Sequence, residues 1–443
     1  MSKSNSRFIC QECGAFSPKW MGQCDVCKNW NCLIEEPTNN SDSDVSVPND
    51  FFMNVTDRID TTTARHITKL NELNRVLGGG FVDGSVVLIG GTPGIGKSTL
   101  LLQILSGITE IDNYIYISAE ESVKQVMLRA KRLSISNSVL RIASSSNIHQ
   151  ILKAIKNVRH NSVVVIDSIQ TVFSDLIQSP PGSISQVRFC TQELVNFAKS
   201  NDVIVVIVGH VTKDGALAGP KTLEHMVDCV LYFEGDKSFD YRILRCEKNR
   251  YGSTDEIGMF QMSESGLQEI SNPSSMFLSG NDQNATGVAV FAGIEGSRVI
   301  FSEIQALVST TYNPAPKRSS IGFDPYRLSM LIAVLSTRCK LNFSNKDVFL
   351  NVAGGLKISD PSIDLAAVAT IMSSFFNKPL QRETVYFGEV CLSGFVRQSH
   401  LCFQRIREAQ KLGYKRVVCN ASGNSLNKCD IEVLNCKSVS NLF

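Results

Sequence analysis

Four near-continuous apolar runs, rich in β-branched residues, recur in the first two thirds of the chain. They are SVVLIGG (85–91), NYIYISAEE (113–121), SVVVIDS (162–168) and DVIVVIVGH (202–210). Amphipathic segments such as ESVKQVMLRAKRL (121–133) lie between them. Runs without strict alternation indicate strands buried on both faces, and helical crossovers between such strands produce a parallel sheet. The pattern predicts an α/β domain.

Two polar stretches divide the chain further. TNNSDSDVSVPND (38–50) and SNPSSMFLSGNDQN (271–284) have the composition of linkers. After the second stretch, strand patterns (TGVAVFAGI, SRVIFSEIQALV) mix with helical patterns (PYRLSMLIAVLSTR, DLAAVATIMSSFF). The predicted organisation is a cysteine-rich segment at 1–36, a linker at 37–59, the α/β domain at 60–270, a linker at 271–284 and an α+β domain at 285–443.

Composition changes this picture little. The chain is 43% hydrophobic and 19% charged, and its net charge of +2 gives no argument for a nucleic-acid partner. No apolar run approaches the ~18 to 20 residues of a membrane span, and the N-terminus lacks the apolar core of a signal peptide. We expect a cytoplasmic protein without a membrane partner.

Four of the fourteen cysteines follow the spacing C-x2-C-x10-C-x2-C. Two such pairs can close a tetrahedral site of four thiolates, so Cys10, Cys13, Cys24 and Cys27 are predicted to bind structural Zn²⁺. A segment this short buries little apolar surface, and the metal is expected to supply much of its folding energy. Cys32 is a spare thiol. The alternatives are a redox pair or two chance pairs.

The stretch GGTPGIGKST (90–99) contains the pattern G-x-x-x-x-G-K-[ST] between a predicted strand and a predicted helix. That context is typical of a phosphate-binding loop. Lys97 is expected to reach the β and γ phosphates, Ser98 to ligate Mg²⁺, and Thr99 to begin the helix. The predicted nucleotide-binding residues are Gly91, Thr92, Pro93, Gly94, Ile95, Gly96, Lys97, Ser98 and Thr99.

Acidic residues end two of the apolar runs. Asp167 is placed to hold Mg²⁺ through water, although a helix cap is the plainer interpretation. Glu120 is predicted to be the general base for hydrolysis, with Glu121 as the residue that starts the next helix. The alternative is that both only favour a helix N-terminus. For His210, sensing of the γ-phosphate and simple strand capping stay open.

Two cations stand close together in RCEKNRYG (245–252). Lys248 and Arg250 point to the same face of an extended chain, so an anion is expected beside them. Facing their own loop, they would duplicate Lys97. Facing a neighbour's nucleotide, they would imply a ring or filament. A solvated cationic edge strand is the alternative, and the residues alone leave the choice open.

Together these motifs resemble the bacterial RadA/Sms family of DNA-repair proteins. The resemblance implies a zinc ribbon, a RecA-like ATPase domain and a C-terminal domain similar to the Lon protease domain. Tyr251 replaces the Phe of the family's KNRFG signature, which retains an aromatic ring. The matching segments are the four cysteines, GGTPGIGKSTLLLQ (90–103), ISAEES (117–122), VVVIDSIQT (163–171), GHVTKDGALAGPKTLEHMVD (209–228), KNRYG (248–252), NVAGGLKISDPSIDLA (351–366) and GEVCLSG (388–394).

This resemblance implies DNA-dependent hydrolysis of ATP, an acid anhydride, by a helicase-like homo-hexameric ring. The ring would promote branch migration on single-stranded and branched DNA, with a recombinase of the RecA type as partner. Lys248 and Arg250 would then face the neighbour's triphosphate, with DNA phosphate as the rival. Loops at 179–190 and 211–221 would face the ring axis and contact DNA through Arg188, Lys213 and Lys221.

Further DNA or partner contacts are expected from cations and aromatic residues outside the ATPase domain. The candidates are Lys19, Trp20, Lys28 and Trp30 in the ribbon, and Lys317, Arg318, Arg327 and Lys357 in the last domain.

Lon proteases use a Ser–Lys dyad, and Ser362 resembles its nucleophile. Counting from Gly388 puts the lysine at Phe403, and nearby Arg405 stays protonated and cannot act as a base. Asp364 also replaces the small glycine of the turn. We therefore predict a proteolytically inactive domain in which Ser362 caps a helix. An ATP-dependent protease and a nucleotide-switched scaffold are the alternatives to a DNA motor.

Overall fold

A computed structural model describes residues 6–10, 12–37, 65–210, 222–235, 241–274, 278, 285–421 and 430–442 of the chain. The chain divides into two units, Met1–Glu269 and Ile270–Phe443. Both predicted linkers lie largely outside the described residues, and Lys213 and Lys221 lie wholly outside them. Within the described ranges, no helix combines the length and the apolar character that crossing a membrane requires.

The first unit begins with a small antiparallel sheet of β1 (Ser6–Cys10), β2 (Phe16–Ser17) and β3 (Leu33–Pro37). The strand order is β2–β1–β3. The buried apolar residues of this sheet are three cysteines and a leucine: Cys10, Cys24, Cys32 and Leu33. A core of this size stabilises a fold only with additional help, such as a bound metal.

The rest of the first unit is an α/β domain. Its strands are β4 (Arg65–His66), β5 (Phe81–Val82), β6 (Val86–Gly91), β7 (Asn113–Ser118), β8 (Leu140–Ser144), β9 (Ser162–Asp167), β10 (Ile204–His210), β11 (Cys229–Glu234), β12 (Tyr241–Asn249), β13 (Ile257–Ser263) and β14 (Gly266–Glu269). Its helices are α1 (Asn71–Val76), α2 (Lys97–Ile104), α3 (Val123–Arg132), α4 (Ile148–Ile155), α5 (Ile184–Asn201) and α6 (Thr222–Met226).

Nine of these strands form one sheet in the order β14–β13–β12–β11–β6–β10–β9–β7–β8. The six strands from β11 to β8 are parallel, and β12, β13 and β14 extend the sheet with antiparallel pairing. Alternate residues of each central strand enter two separate cores. Val87 and Ile89 pack with α2 and α3, whereas Val86 and Leu88 pack with α4 and α5. The predicted parallel sheet is confirmed.

Helix boundaries differ from the sequence prediction at two functional positions. Helix α2 begins at Lys97, with Gly96 as its N-cap, and not at Thr99. Helix α5 begins at Ile184, so the second half of the predicted loop 179–190 is helical. Arg188 therefore lies on a helix, because apolar residues at helical spacing continue from the strand connection into α5.

The second unit contains nine strands and three α-helices among the described residues. The strands are β15 (Val288–Glu295), β16 (Arg298–Thr310), β17 (Arg318–Ile321), β18 (Lys346–Val352), β19 (Thr384–Tyr386), β20 (Glu389–Val390), β21 (Val396–Arg397), β22 (Arg416–Cys419) and β23 (Glu432–Asn435). The helices are α7 (Pro325–Arg338), α8 (Asp364–Phe376) and α9 (Cys402–Lys411). Seven strands form a mixed sheet in the order β17–β18–β16–β15–β19–β22–β23, and the largely buried helix α8 packs on β15 and β16.

Candidate functional site

The loop after β6 is shaped to receive an anion. Gly94 and Gly96 have φ angles of 80° and 116°, which favour glycine, and a Cβ at Gly96 would lie 2.6 Å from Met262 Cε. The Lys97 ammonium donates to the carbonyl oxygens of Gly91 at 2.6 Å and Thr92 at 3.0 Å. Burial lowers the pKa of Lys97 to about 8, although nearby carboxylates act in the opposite direction.

Asp167 lies beside this loop at the carboxyl end of β9. Ser98 Oγ donates to Asp167 Oδ2 over 2.7 Å, and the Tyr116 hydroxyl donates to the same oxygen. The carboxylate is buried and caps no helix, which removes the plainer interpretation of Asp167. A hydroxyl beside a carboxylate is the donor set that Mg²⁺ takes in phosphate-binding loops, so the residues fit the metal.

The two glutamates after β7 have different partners. Both carboxylate oxygens of Glu121 accept from the Arg129 guanidinium at 2.7 Å, and Glu121 precedes the helix, whose N-cap is Ser122. Glu120 instead accepts from the Ser168 hydroxyl and lies 3.1 Å from His210 Nε2. Glu120, Asp167 and His210 thus end strands that are neighbours in the parallel sheet, at the edge that carries the loop.

Only one of the two ring nitrogens of His210 has a hydrogen-bond partner among the described residues. Nε2 faces Glu120, and Nδ1 is buried without a hydrogen-bond partner among the described residues. The backbone of His210 pairs with Gly91, so the residue stands beside the strand that leads into the phosphate loop. A sensor role for His210 stays a prediction.

Lys248 and Arg250 lie where the parallel strands begin, at the opposite side of the sheet from the phosphate loop, which we call the far edge. Asn249 pairs with Cys229 on β11, and Cys229 pairs with Val87 near the start of β6. Strands rise about 3.3 Å per residue, so this register lies roughly 13 Å from Gly91 at the far end of β6. The two cations therefore do not face their own phosphate loop.

The partners of both cations within the chain were not predicted. Arg250 Nη1 donates to Asp228 Oδ1 at 3.0 Å, so the anion beside the motif in the single chain is Asp228. Burial lowers the pKa of Lys248, and the neighbouring Arg250 lowers it further. The Lys248 ammonium donates to three carbonyl oxygens at the end of α6, those of Glu224 (2.8 Å), His225 (3.3 Å) and Val227 (2.9 Å).

The four predicted zinc ligands come together in the ribbon. Their Sγ atoms all lie within 4.8 Å of one another, with Cys10 and Cys27 at 3.5 Å and Cys13 and Cys24 at 3.6 Å. Cys32 is buried with its Sγ 3.4 Å from that of Cys10. Four sulfurs at this spacing fit a tetrahedral Zn²⁺ ion.

Outside the KNRYG motif, the predicted DNA contacts are exposed where the structure describes them, with one exception. Trp20 and Trp30 present exposed rings on the ribbon. Arg188 is exposed on α5, and a Cβ at Gly14 would lie 3.3 Å from its Nη1, so the Arg188 guanidinium lies against the ribbon and not on a free loop. The exception is Arg327 of the second unit, which is bound to Asp364 through both its Nε and Nη2 atoms. The other cations predicted there, Lys317, Arg318 and Lys357, are exposed.

The prediction that Ser362 caps a helix was wrong. Asp360, and not Ser362, caps the short helix at Pro361–Ile363, and the Ser362 hydroxyl accepts from Arg405 Nη1 at 2.7 Å. Arg405 contacts Ser362 because α9 turns this side chain inward. Arg405 is 1% exposed and also binds Asp360 Oδ2 at 2.7 Å. A guanidinium holds the hydroxyl where a catalytic base would be required.

Comparison with known proteins agrees with this geometry. Residues 55–216 match the family described as AAA domain, and residues 8–35 match the rubredoxin metal binding domain. The DNA repair protein RadA of Rickettsia bellii (strain RML369-C) is 48% identical over 431 residues, covering 96% of this chain and 95% of its own. That of Bacillus subtilis (strain 168) is 48% identical over 435 residues, with coverages of 95% and 94%.

A solved structure of an ATPase domain is 15% identical and has a TM-score of 0.39, covering 45% of this chain and 89% of its own. Fold and site together define a P-loop ATPase with a RecA-like parallel sheet and a four-cysteine zinc ribbon. The near-full-length relatives go further: the chain belongs to the RadA family of DNA repair proteins.

Proposed function

We propose that the protein is a DNA-dependent ATPase that works as a homo-hexameric ring on single-stranded and branched DNA and promotes branch migration during recombinational repair. One observation carries the proposal. The residues suited to binding and hydrolysing ATP occupy one edge of the sheet, whereas Lys248 and Arg250 occupy the other. Cations at the far edge serve a nucleotide only if it belongs to a neighbouring subunit.

In this mechanism each side chain has a separate task. Backbone N–H groups between Gly91 and Thr99 bind the phosphates, and Lys97 exchanges its carbonyl partners for the β and γ phosphates. Ser98 and Asp167 would hold Mg²⁺, which would supply positive charge to neutralise the phosphates. Glu120 accepts the proton of the attacking water, and His210 links Glu120 to the γ-phosphate.

Cations from the next subunit complete the site. Arg250 and Lys248 of a neighbour stabilise the charge that develops on the γ-phosphate, which couples hydrolysis to subunit rearrangement. DNA passes the residues predicted to contact it, Arg188, Lys213 and Lys221, through contacts to phosphate that tolerate any sequence. A recombinase of the RecA type is the expected partner on the same DNA.

The second unit serves this motor as an inactive Lon-protease-like domain. The contact of Arg405 with Ser362 opposes the alternative of an ATP-dependent protease, because an arginine takes up no proton from serine. Assembly of the ring and binding of DNA are the roles left to the domain. A nucleotide-switched scaffold is the second alternative, and the complete hydrolytic set around Glu120 opposes it.

The test is ATP hydrolysis by the purified protein with and without single-stranded DNA, alongside Lys248→Ala and Arg250→Ala. We expect stimulation by DNA in the wild type and its loss in both variants, while ATP still binds. A variant that hydrolyses normally but no longer binds DNA would assign the motif to DNA. Absence of any DNA effect in the wild type would favour the scaffold, and Lys97→Ala would then keep full biological function.

A further inference from the structure

A buried carboxylate organises the cations at the far edge of the sheet. Asp228 is 2% exposed, and its side chain accepts from the Val86 N–H at 3.0 Å and from Arg250 Nη1 at 3.0 Å. The Arg250 N–H also donates to the Asp228 carbonyl at 3.0 Å. Asp228 thereby ties the start of β6, whose other end leads into the phosphate loop, to the cation that follows β12.

A third cation shares this carboxylate. Lys199, in the last turn of α5, has its Nζ 3.7 Å from Asp228 Oδ1. Lys199 and Arg250 each lower the pKa of Lys248, after the larger effect of burial, which places all three cations within electrostatic reach of one another. Lys199 lies 49 residues before Lys248 in sequence and is not part of any motif.

The three cations differ in what their donors already do. An ammonium has three donors, and those of Lys248 point at three backbone carbonyls of α6 and the turn after it. Lys199 and Arg250 are both 49% exposed and share the one oxygen of Asp228. Lys199 thus offers an accessible ammonium beside an accessible guanidinium, and the single charge of Asp228 leaves this pair of cations with a net positive charge.

Glu224 also faces the group, but its carboxylate accepts from the Tyr232 hydroxyl at 2.9 Å. Three cations against the two carboxylates leave a positive surplus at this surface. A triphosphate carries several negative charges and presents oxygens on more than one side, so it can bind an ammonium and a guanidinium at once.

We propose that Lys199 is an additional cation that contacts the neighbour's triphosphate, and that Asp228 is the positioning residue that holds Lys199 and Arg250 in place for it. This inference rests on the proposed arrangement of the ring. Lys199 extends the phosphate-facing group beyond the KNRYG motif. Asp228 fixes the group to β6 without touching the nucleotide.

Four variants test the inference, each measured for the kcat and KM of ATP hydrolysis with single-stranded DNA. They are Lys199→Ala, Asp228→Asn, Arg250→Ala and the control Lys156→Ala, an exposed lysine at the end of α4. Asp228→Asn keeps an oxygen for the Val86 N–H, but it removes the charge and the oxygen that accepts from Arg250. We expect Lys199→Ala and Asp228→Asn to lower kcat about ten- to a hundredfold with little change in KM, as loss of a charge-assisted contact made in the transition state requires.

Mixing experiments separate a contact in trans from damage within the chain. Lys97→Ala carries intact far-edge cations but a defective loop, so excess Lys97→Ala chains should restore hydrolysis to Lys199→Ala, Asp228→Asn and Arg250→Ala subunits. Wild-type kcat in Lys199→Ala alone would overturn the role of Lys199. If mixing restores hydrolysis to Arg250→Ala but not to Asp228→Asn or Lys199→Ala, then Asp228 and Lys199 act only within their own chain, as structural residues. If Arg250→Ala is not rescued either, the trans arrangement itself fails, and this inference with it.

Discussion

At the scale of single residues, the nucleotide site combines one contiguous loop with carboxylates that the strand order brings beside it. The phosphate loop is contiguous, so its glycines, Lys97 and Ser98 are recognisable from local pattern alone. Asp167 and Glu120 could be found because each ends an apolar strand. The hydrogen-bond partners of the carboxylates could not be predicted, because strand order and the packing of α3 bring them together. These partners are Tyr116 for Asp167, Ser168 for Glu120 and Arg129 for the adjacent Glu121.

Lys97 gives a prediction about protons. Burial lowers its pKa to about 8 in the nucleotide-free chain. Phosphate oxygens favour the charged ammonium and raise that pKa on binding, so ATP should be bound with proton uptake that grows from pH 7 to pH 8 and approaches about half a proton there. Calorimetric titrations in buffers of different ionisation enthalpy measure this uptake. Lys97→Arg, which stays charged, is the control; equal uptake in both proteins would contradict the assignment.

The two glutamates after β7 provide a matched pair. Glu120→Gln removes the proposed base beside Ser168 and His210 and should lower kcat by about 10²–10⁴-fold with ATP binding retained. Glu121→Gln leaves that geometry in place and weakens a partly exposed ion pair with Arg129, so it should reduce stability by about 1 kcal/mol or less. Steady-state kinetics and thermal unfolding of both variants decide the matter. A larger kinetic defect in Glu121→Gln would reverse the assignment.

At the scale of elements, periodicity predicted the central strands and the long helices well, and loops less well. The strand patterns correspond to β6, β7, β9 and β10, because buried strands need continuous apolar sequence. The start of α5 was misplaced because Ser and Gly before it favour a loop. The contact of Arg405 on α9 with Asp360 could not be predicted, since it joins residues 45 apart in sequence.

We expect the ribbon element to depend on its metal. Cys13→Ala should abolish binding of the one expected Zn²⁺ ion and unfold the ribbon, because its apolar core is small. Both tryptophans of the chain, Trp20 and Trp30, lie in this element, so their fluorescence reports on it alone. We expect a changed tryptophan spectrum with far-ultraviolet circular dichroism nearly unchanged. Cys32→Ala is the control and should retain zinc; loss of zinc there would change the ligand set.

Helix α9 places a charge pair in the interior of the second unit. Burial raises the pKa of Asp360, but the Arg405 guanidinium and hydrogen bonds from Ser362 outweigh it and hold that pKa below its ordinary value. A lowered pKa in the folded state means that the pairing stabilises above the unfolded pKa and is lost as pH falls.

Arg405→Met should therefore destabilise the second unit by about 3–5 kcal/mol at pH 7, since it leaves a largely buried carboxylate unpaired. The loss should be smaller near pH 4, where protonation of Asp360 relieves it. Calorimetric unfolding of the full chain at both pH values measures this difference. Arg407→Met, an exposed position on the same helix, is the control. Equal losses at both pH values would argue against the charge pair.

At the scale of the whole molecule, the proposed ring makes the single chain an incomplete enzyme, because the hydrolytic residues lie apart from the far-edge cations. The sheet register alone sets that separation, and the sequence showed only that Lys248 and Arg250 lie far from Lys97 along the chain. An active site completed by a neighbour has a consequence for concentration dependence. Specific activity should rise with protein concentration until assembly is complete, whereas a site complete within one chain would be indifferent to it.

We expect sedimentation with ATP and Mg²⁺ to give a species of about six times the 48.7 kDa chain mass, and specific activity to follow the fraction of that species. Arg250→Ala should assemble but hydrolyse poorly, because its assembled sites lack the trans cation. Binding of single-stranded DNA to the assembled form should weaken steeply as salt rises, with a smaller slope in Arg188→Ala if that side chain contacts phosphate. Full specific activity in a monomer would refute the ring, and an unchanged salt slope would remove Arg188 from the DNA path.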